Sequence, residues 1–286
     1  MTYTIKSEKL TVGVKSLGAE LASIKSNDFE YVWQPGIWED QAPILFPTCG
    51  RLCGNTYTLG GKEYKMDIHG FASDLDFKLT ELTESRLVLS ASETPETLES
   101  YPFRFTLTAE YEIAGDTLTA KYTVKNDNDG PMSFMFGWHP GFNLWGDTPI
   151  EDFTLDFGDV YCLTHHVTNE MKFLSGAMEA FPLKDGKYNL CEEEIYQQDA
   201  LIFTETLGKV TLTEPTRERA VTVTWSDNLP YVAFWKWARS DVRYLCVEPW
   251  SGVPGDGVTP EVWEERKNLT IGGGASESFV FTVKCE

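Results

Sequence analysis

The chain is 286 residues long and 42% apolar, enough for a sizeable core and too apolar for disorder. Its 24 Lys and Arg against 44 Asp and Glu give a net charge of −20, which disfavours nucleic acid and anionic membranes as partners. The same acidity also fits a merely well-solvated protein. No run approaches the roughly 18 apolar residues of a membrane span, and Met1 to Lys6 lacks the apolar core of a signal peptide. Six dispersed cysteines do not form the pattern of a disulfide scaffold. A reducing cytoplasm is the expected location.

Period-two alternation recurs along the chain. It begins with Thr56 to Leu59 and Glu63 to Met66, which flank Gly60-Gly61 as a hairpin. Thr94-Pro95-Glu96-Thr97-Leu98-Glu99 then places Pro at a first helical position with acids in the first turn, predicting one or two helical turns. Arg104 to Ile113 and Thr117 to Val124 read as paired strands joined at Ala114-Gly115-Asp116. Lys209 to Thr213 and Ala220 to Trp225 form a further pair, and Ser278 to Lys284 a last strand. Thr259 to Glu265 repeats the short-helix pattern. Strands without long intervening helices argue for an antiparallel sandwich or barrel and against βαβ architecture. With no linker, repeat or composition break, a single domain over residues 1–286 is expected.

Aromatic residues make up 13% of the chain, nine of them Trp, and aromatics serve both strands and stacking on the C–H faces of sugars. With nucleobases disfavoured by charge, a small neutral sugar is the partner that this composition suits. Four histidines occur, so each can be weighed singly. His69 and His139 sit beside Gly or Pro, where the backbone leaves a strand and sites are commonly built. A hydrogen-bonded imidazole in a partly buried corner is the alternative for each. His165 and His166 follow a strand, face opposite ways and read as surface or loop residues.

Glu248 is the sharper anomaly, a carboxylate inside the apolar run Tyr244-Leu245-Cys246-Val247-Glu248-Pro249-Trp250. Such a group must be paired, or its pKa must rise, and both situations concentrate at functional sites. A structural ion pair would also explain it. Arg51, following the apolar run from Ile44 to Gly50, offers a fork of donors for hydroxyl or carboxylate, or forms an internal salt bridge. Asp199 opens an apolar strand and by itself reads as a turn acid. Cys49 and Cys53 lack a second Cys/His pair at zinc spacing, so no metal is expected. Gly272-Gly273-Gly274 and Gly50-Arg51-Leu52-Cys53-Gly54 match neither a phosphate loop nor a dinucleotide fingerprint.

Five ordered motifs form a recognisable set: Pro43 to Leu52, Tyr64 to Phe71, Gly137 to Asn143, Asp199 to Phe203 and Cys246 to Trp250. Together they resemble the aldose 1-epimerase (galactose mutarotase) family over nearly the whole chain, nearest to the branch related to the LacX protein of lactose operons. The resemblance implies a large antiparallel β-sandwich, a supersandwich with a sugar site in the concave face of one sheet. It implies Glu248 as catalytic base and His139 as catalytic acid. Arg51, His69 and Asp199 would hold sugar hydroxyls, and Trp235 lies where the family supplies another pocket residue. Phe71, Trp138 and Trp250 depart from the better-studied galactose enzymes, so the substrate-facing details differ.

The function expected is cofactor-independent interconversion of the anomers of a hexose. One alternative is a sugar-phosphate epimerase using Lys236, Arg239 and Arg243. A non-catalytic sugar-binding protein is another, and a two-carboxylate glycosidase lacks its second carboxylate.

Overall fold

A computed structural model describes residues 1–216, 219–237 and 242–286. The architecture is all-β and antiparallel. A nine-stranded sheet runs in the order Lys187–Asn189, Thr154–Asp156, Lys209–Thr213, Ala220–Trp225, Ser276–Cys285, Thr117–Asn126, Phe105–Ala114, Arg86–Ser92, Lys78–Leu82. Facing it is a second large sheet in the order Leu174–Pro182, Cys162–Thr168, Leu201–Thr204, Tyr231–Trp235, Tyr244–Trp250, Gly137–Trp138, Ile44–Leu45, with Gly141–Asn143 paired beside Tyr244–Trp250. A four-stranded sheet of residues from Thr2 to Glu30 leads in.

The alternation read from the sequence is the alternation of burial. Phe105, Leu107, Ala109, Tyr111 and Ile113 are buried, while the residues between them are not. Their partner strand, Thr117–Asn126, buries Leu118, Ala120, Tyr122 and Val124 in the same way. One buried apolar cluster extends from Ile5 to Cys285 between the sheets. Aromatic contacts join its two walls: Phe136 stacks on Phe279 with centroids 4.3 Å apart, and Trp138 meets Phe281 at 5.1 Å. Such pairs add to area burial because edge and face charges complement each other.

Three local expectations need correction. Thr259 to Glu265 does not form the anticipated helix, and only Trp263–Glu265 makes a 3₁₀ turn. Thr259 is instead held by the Asp256 carboxylate, which accepts from both its N–H and its hydroxyl. A helix over Glu192–Gln198 was not anticipated, because its three leading acids carry no apolar period beyond the buried Ile195. His165 and His166 do not lie on a loop. Both fall within the Cys162–Thr168 strand, and His165 is buried at 7% exposure against Phe181 and Phe203. The two do face opposite sides, as the pleat requires. The Thr94 prediction holds, since Pro95–Ser100 is helical and capped reciprocally by Thr94 and Thr97.

Candidate active site

The second sheet has one face in the main core and the other turned away from it. Along Tyr244–Trp250, Leu245 and Val247 belong to the main core, whereas Cys246 and Trp250 belong to small clusters on the opposite face. Period-two geometry therefore puts Glu248 on that opposite face with its neighbours at i ± 2. The same rule treats Trp138 and His139 oppositely. Trp138 packs in the core with its indole N–H donated to Ala42 O at 3.1 Å, and His139 emerges on the site face.

His139 and Glu248 meet there directly. His139 Nε2 is 3.0 Å from Glu248 Oε2, with side-chain exposures of only 9% and 2%. His69 closes the group. Its ring lies 5.4 Å from that of His139, edge to face, and one ligating atom from each of the three residues lies within 4.8 Å of the others. Two imidazoles and a carboxylate are also a donor set used by transition metals. Here two of the three groups are already in contact at 3.0 Å.

His69 is held by unusual backbone. Both His69 (φ +65°) and Gly70 (φ +79°) are left-handed, and a Cβ on Gly70 would stand 2.2 Å from Phe46 O. This turn allows Gly50 N–H to donate to His69 Nδ1 at 3.1 Å. With Nδ1 accepting, the neutral ring carries its proton on Nε2 and presents a donor to the pocket.

Arg51 and Asp199 form the far wall, paired at 2.6 Å. Asp199 ends the Glu192–Gln198 helix with φ +67°, so it is a cap residue that turns the chain into the Leu201–Thr204 strand. The salt bridge thought of as an alternative for Arg51 is thus real, and it lies in the pocket wall. Trp235 also lines this pocket, with its ring 5.6 Å from that of His139. All six residues singled out from the sequence, Arg51, His69, His139, Asp199, Trp235 and Glu248, border one cavity of about 570 Å³. That volume lies within the range of small-molecule sites.

Trp38, Asp40, Lys172 and Trp237 are among the lining residues that sequence reasoning missed. Trp38 is the most consequential. It packs 5.1 Å from the His139 ring, 5.5 Å from Trp235 and 5.4 Å from Tyr244. It can lie there because Gly141 is beneath it, where a Cβ would come within 2.7 Å of its ring. A Trp in the non-strand stretch Trp33-Gln34-Pro35-Gly36-Ile37-Trp38 was the available signal. Lys172 donates to the carbonyls of Tyr196 (3.2 Å) and Gln197 (2.7 Å).

Burial sets the electrostatics. It pushes the Glu248 carboxyl well above the ordinary carboxylate range, nearby Asp199 adds repulsion, and Trp250 opposes both weakly. Burial also holds the His139 imidazole down to about 3. His69 is held well below the ordinary imidazole value by burial first, then by His139 and Arg51. An imidazolium–carboxylate pair and a neutral imidazole–carboxylic acid pair hold the same number of protons. The dry surroundings favour the neutral arrangement.

A sandwich of two large antiparallel sheets, with a buried His–Glu pair bordering a polar and aromatic cavity on one of them, is the framework of a carbohydrate epimerase. The chain belongs to the aldose 1-epimerase family, whose sequence profile matches residues 1–264. Among curated relatives, the chromosomal LacX protein of Lactococcus lactis subsp. lactis is 28% identical over 283 residues, covering 94% of each chain. A galactose mutarotase related enzyme from Lactobacillus acidophilus superposes with a TM-score of 0.93 at 29% identity, over 100% of this chain and 97% of that one. A galactose mutarotase-like protein from Lactobacillus casei ATCC 334 gives the same score and identity over the whole of both chains.

The chemistry that any relative performs is carried by its site, so the residues must decide the reaction. Among the described residues, no helix is long and apolar enough to cross a membrane.

Proposed function

We propose that the protein interconverts the α and β anomers of an aldose, with Glu248 as base and His139 as acid. The observation that carries this reading is the 3.0 Å contact between His139 Nε2 and Glu248 Oε2 at the base of the cavity. Anomer exchange needs a proton taken from the anomeric hydroxyl O1 and one delivered to the ring oxygen O5. Both oxygens are bonded to C1, so a base and an acid in contact with each other can each reach one of them.

The proton movements balance. Proton transfer across the 3.0 Å contact first converts the neutral pair into carboxylate and imidazolium, and Glu248, as carboxylate, then accepts the O1 proton while the O1–H electrons form the C1–O1 double bond. The C1–O5 bond breaks toward O5, which takes the proton of His139. Opening therefore leaves a neutral imidazole and a protonated carboxyl, the arrangement that burial favours. Rotation about C1–C2 presents the other carbonyl face, and the reverse transfers close the ring as the opposite anomer. Arg51, His69 and Asp199 hold the remaining hydroxyls. Trp38 and Trp235 supply aromatic surface for the C–H face of the ring. The steps are proton transfers among Glu248, His139 and the sugar, coupled to cleavage and re-formation of C1–O5, and no metal or cofactor is required.

The sugar-phosphate alternative lacks support from the cations first considered for it. Lys236 is buried and ion-paired with Glu192. Arg243 donates to the carbonyls of Leu144 and Thr148 and lies over Phe153. Arg239 lies outside the described residues. A purely binding role would not call for a buried acid–base couple, whose desolvation lowers stability without improving hydroxyl recognition.

The test is polarimetric equilibration of freshly dissolved α-D-glucose and α-D-galactose, before and after dialysis against EDTA. Acceleration above the spontaneous rate, retained after dialysis and lost in Glu248→Gln, is the expected outcome. Wild-type rates in Glu248→Gln would overturn the assignment.

A further inference from the structure

Asp199 occupies a strained backbone conformation in the pocket wall. Its φ of +67° and ψ of −55° lie near the centre of the rare, strained form of γ-turn, outside the left-handed helical region that Asp tolerates. The bridge to Arg51 does not account for this. A pair whose side chains are 37% and 30% exposed contributes less than such a conformation costs.

The remaining restraints come from the tip of the hairpin that joins Cys162–Thr168 to Leu174–Pro182. A helix leaves its last carbonyls without partners of its own. At the end of Glu192–Gln198, three of them are taken up by this tip. Lys172 Nζ donates to Tyr196 O at 3.2 Å and to Gln197 O at 2.7 Å, and Thr168 Oγ1 donates to Gln198 O at 2.7 Å. The Gln198 amide oxygen accepts in turn from Thr168 N–H at 2.9 Å. A cation at this end also meets the negative pole of the helix, and Lys172 Nζ lies 5.7 Å from the centre of the Tyr196 ring. Its charge is thus engaged with the helix end.

The tip is itself well held. Asn169 Oδ1 accepts from the N–H groups of Met171 (2.9 Å) and Phe173 (3.1 Å), and Lys172 is left-handed with φ +66°. Arg51 Nη1 reaches the Lys172 carbonyl at 3.4 Å while pairing with Asp199 Oδ2 at 2.6 Å. The contacts close into a ring, from hairpin tip to helix end, to Asp199, to Arg51 and back to the tip.

We propose that Lys172 is a positioning residue: from the hairpin tip, with Thr168 beside it, it clamps the end of the Glu192–Gln198 helix and so keeps the Asp199 carboxylate in the cavity wall. It acts on the sugar and on Glu248 through Asp199. The inference rests on the reading of this cavity as the anomer-exchange site.

The sign of a pH shift separates this role from a direct one. Loss of a nearby cation by itself raises the pKa of a carboxyl, whereas release of Asp199 removes a repulsion on Glu248 and lowers it. In polarimetry, Lys172→Met is therefore expected to move the pH profile of kcat to lower pH and to raise KM about threefold or more. Lys172→Arg keeps a charged donor for both carbonyls and is expected to stay within about twofold of wild type. Asp199→Gly relieves the backbone and removes the carboxylate, so in that background Lys172→Met is expected to change KM by less than about twofold. A shift to higher pH, or an undiminished effect in the Asp199→Gly background, would overturn the proposal.

A crystal structure of Lys172→Met and calorimetric Kd values for glucose and galactose read the clamp without turnover. Residue 199 is expected to leave the positive-φ region, and the Arg51–Asp199 separation to exceed about 4 Å. An unchanged Asp199 backbone and bridge would refute the clamp whatever the kinetics. A displaced Asp199 and weaker sugar binding in the variant, with no anomerisation by the wild-type protein, would retain the clamp and reject the acid–base reading.

Discussion

His139 Nε2 lies 3.0 Å from Glu248 Oε2, and each residue also has a buried polar atom, Nδ1 and Oε1 respectively, without a hydrogen-bond partner among the described residues. An interior optimised only for stability would satisfy such atoms or replace them with apolar ones. Their presence next to a cavity fits the proposed acid–base role, in which stability is traded for chemistry.

Glu248→Gln is expected to lower kcat for anomerisation by about 10²–10⁴-fold, the range for losing one positioned proton-transfer group. It is also expected to raise the melting temperature at neutral pH. The Glu248 pKa is raised in the folded state, so its contribution to stability is fully present below the unfolded value of about 4.3 and is lost as pH rises toward the folded value. Thermal unfolding at pH 4 and pH 8 should show a larger gain for the variant at pH 8. A lower melting temperature at pH 8 would contradict this account of the carboxyl.

The histidines act in the opposite sense. His69, His139, His165 and His166 all have lowered folded-state pKa values, led in each case by burial. The unfolded chain therefore binds protons that the folded chain refuses. Stability from these groups is full above about 6.5 and falls as pH drops below it, toward folded values near 3 for His139. In the Glu248→Gln background, where the opposing carboxyl is gone, melting temperature should decline steadily between about pH 7.5 and pH 5. Adding His139→Gln should flatten that decline.

Asp199→Asn should separate two effects of one residue. Its bridge to Arg51 is about one-third exposed on both sides, and such pairs contribute roughly 0.2–1 kcal/mol. The fold should therefore survive with little change in melting temperature. Loss of a hydroxyl acceptor should raise KM severalfold. Loss of the negative charge that raises the Glu248 pKa should move the pH profile of kcat to lower pH. An unshifted profile would mean that Asp199 holds substrate only.

Trp38→Ala should raise KM more than it lowers kcat, because ring stacking binds ground and transition states alike. About 0.5–1.5 kcal/mol for an aromatic contact corresponds to a roughly two- to tenfold change. Steady-state kinetics on the best sugar would check this. Trp38→Phe should recover most of the loss.

Much of this protein was legible without coordinates. Alternation over Phe105–Ala114 and Thr117–Asn126 identified paired strands because a half-buried strand must alternate, and two residues between them leave room only for a hairpin. Glu248 was suspicious in the sequence because a charge within seven consecutive buried residues needs a reason. The ordered motifs then pointed to the residues that line the cavity.

Tertiary structure alone decided the rest. Nothing local shows that His139 and Glu248 touch, since the contact depends on which face each strand presents once the sheet is assembled. His165 appeared to be a surface residue because its burial is supplied by Phe181 and Phe203 from neighbouring strands. Trp38 joined the site only because a distant glycine, Gly141, leaves room beneath its ring. Local pattern set the strands and their buried faces, because side-chain direction follows from the backbone. Register between distant strands set the site, because it is fixed only when the whole sheet packs.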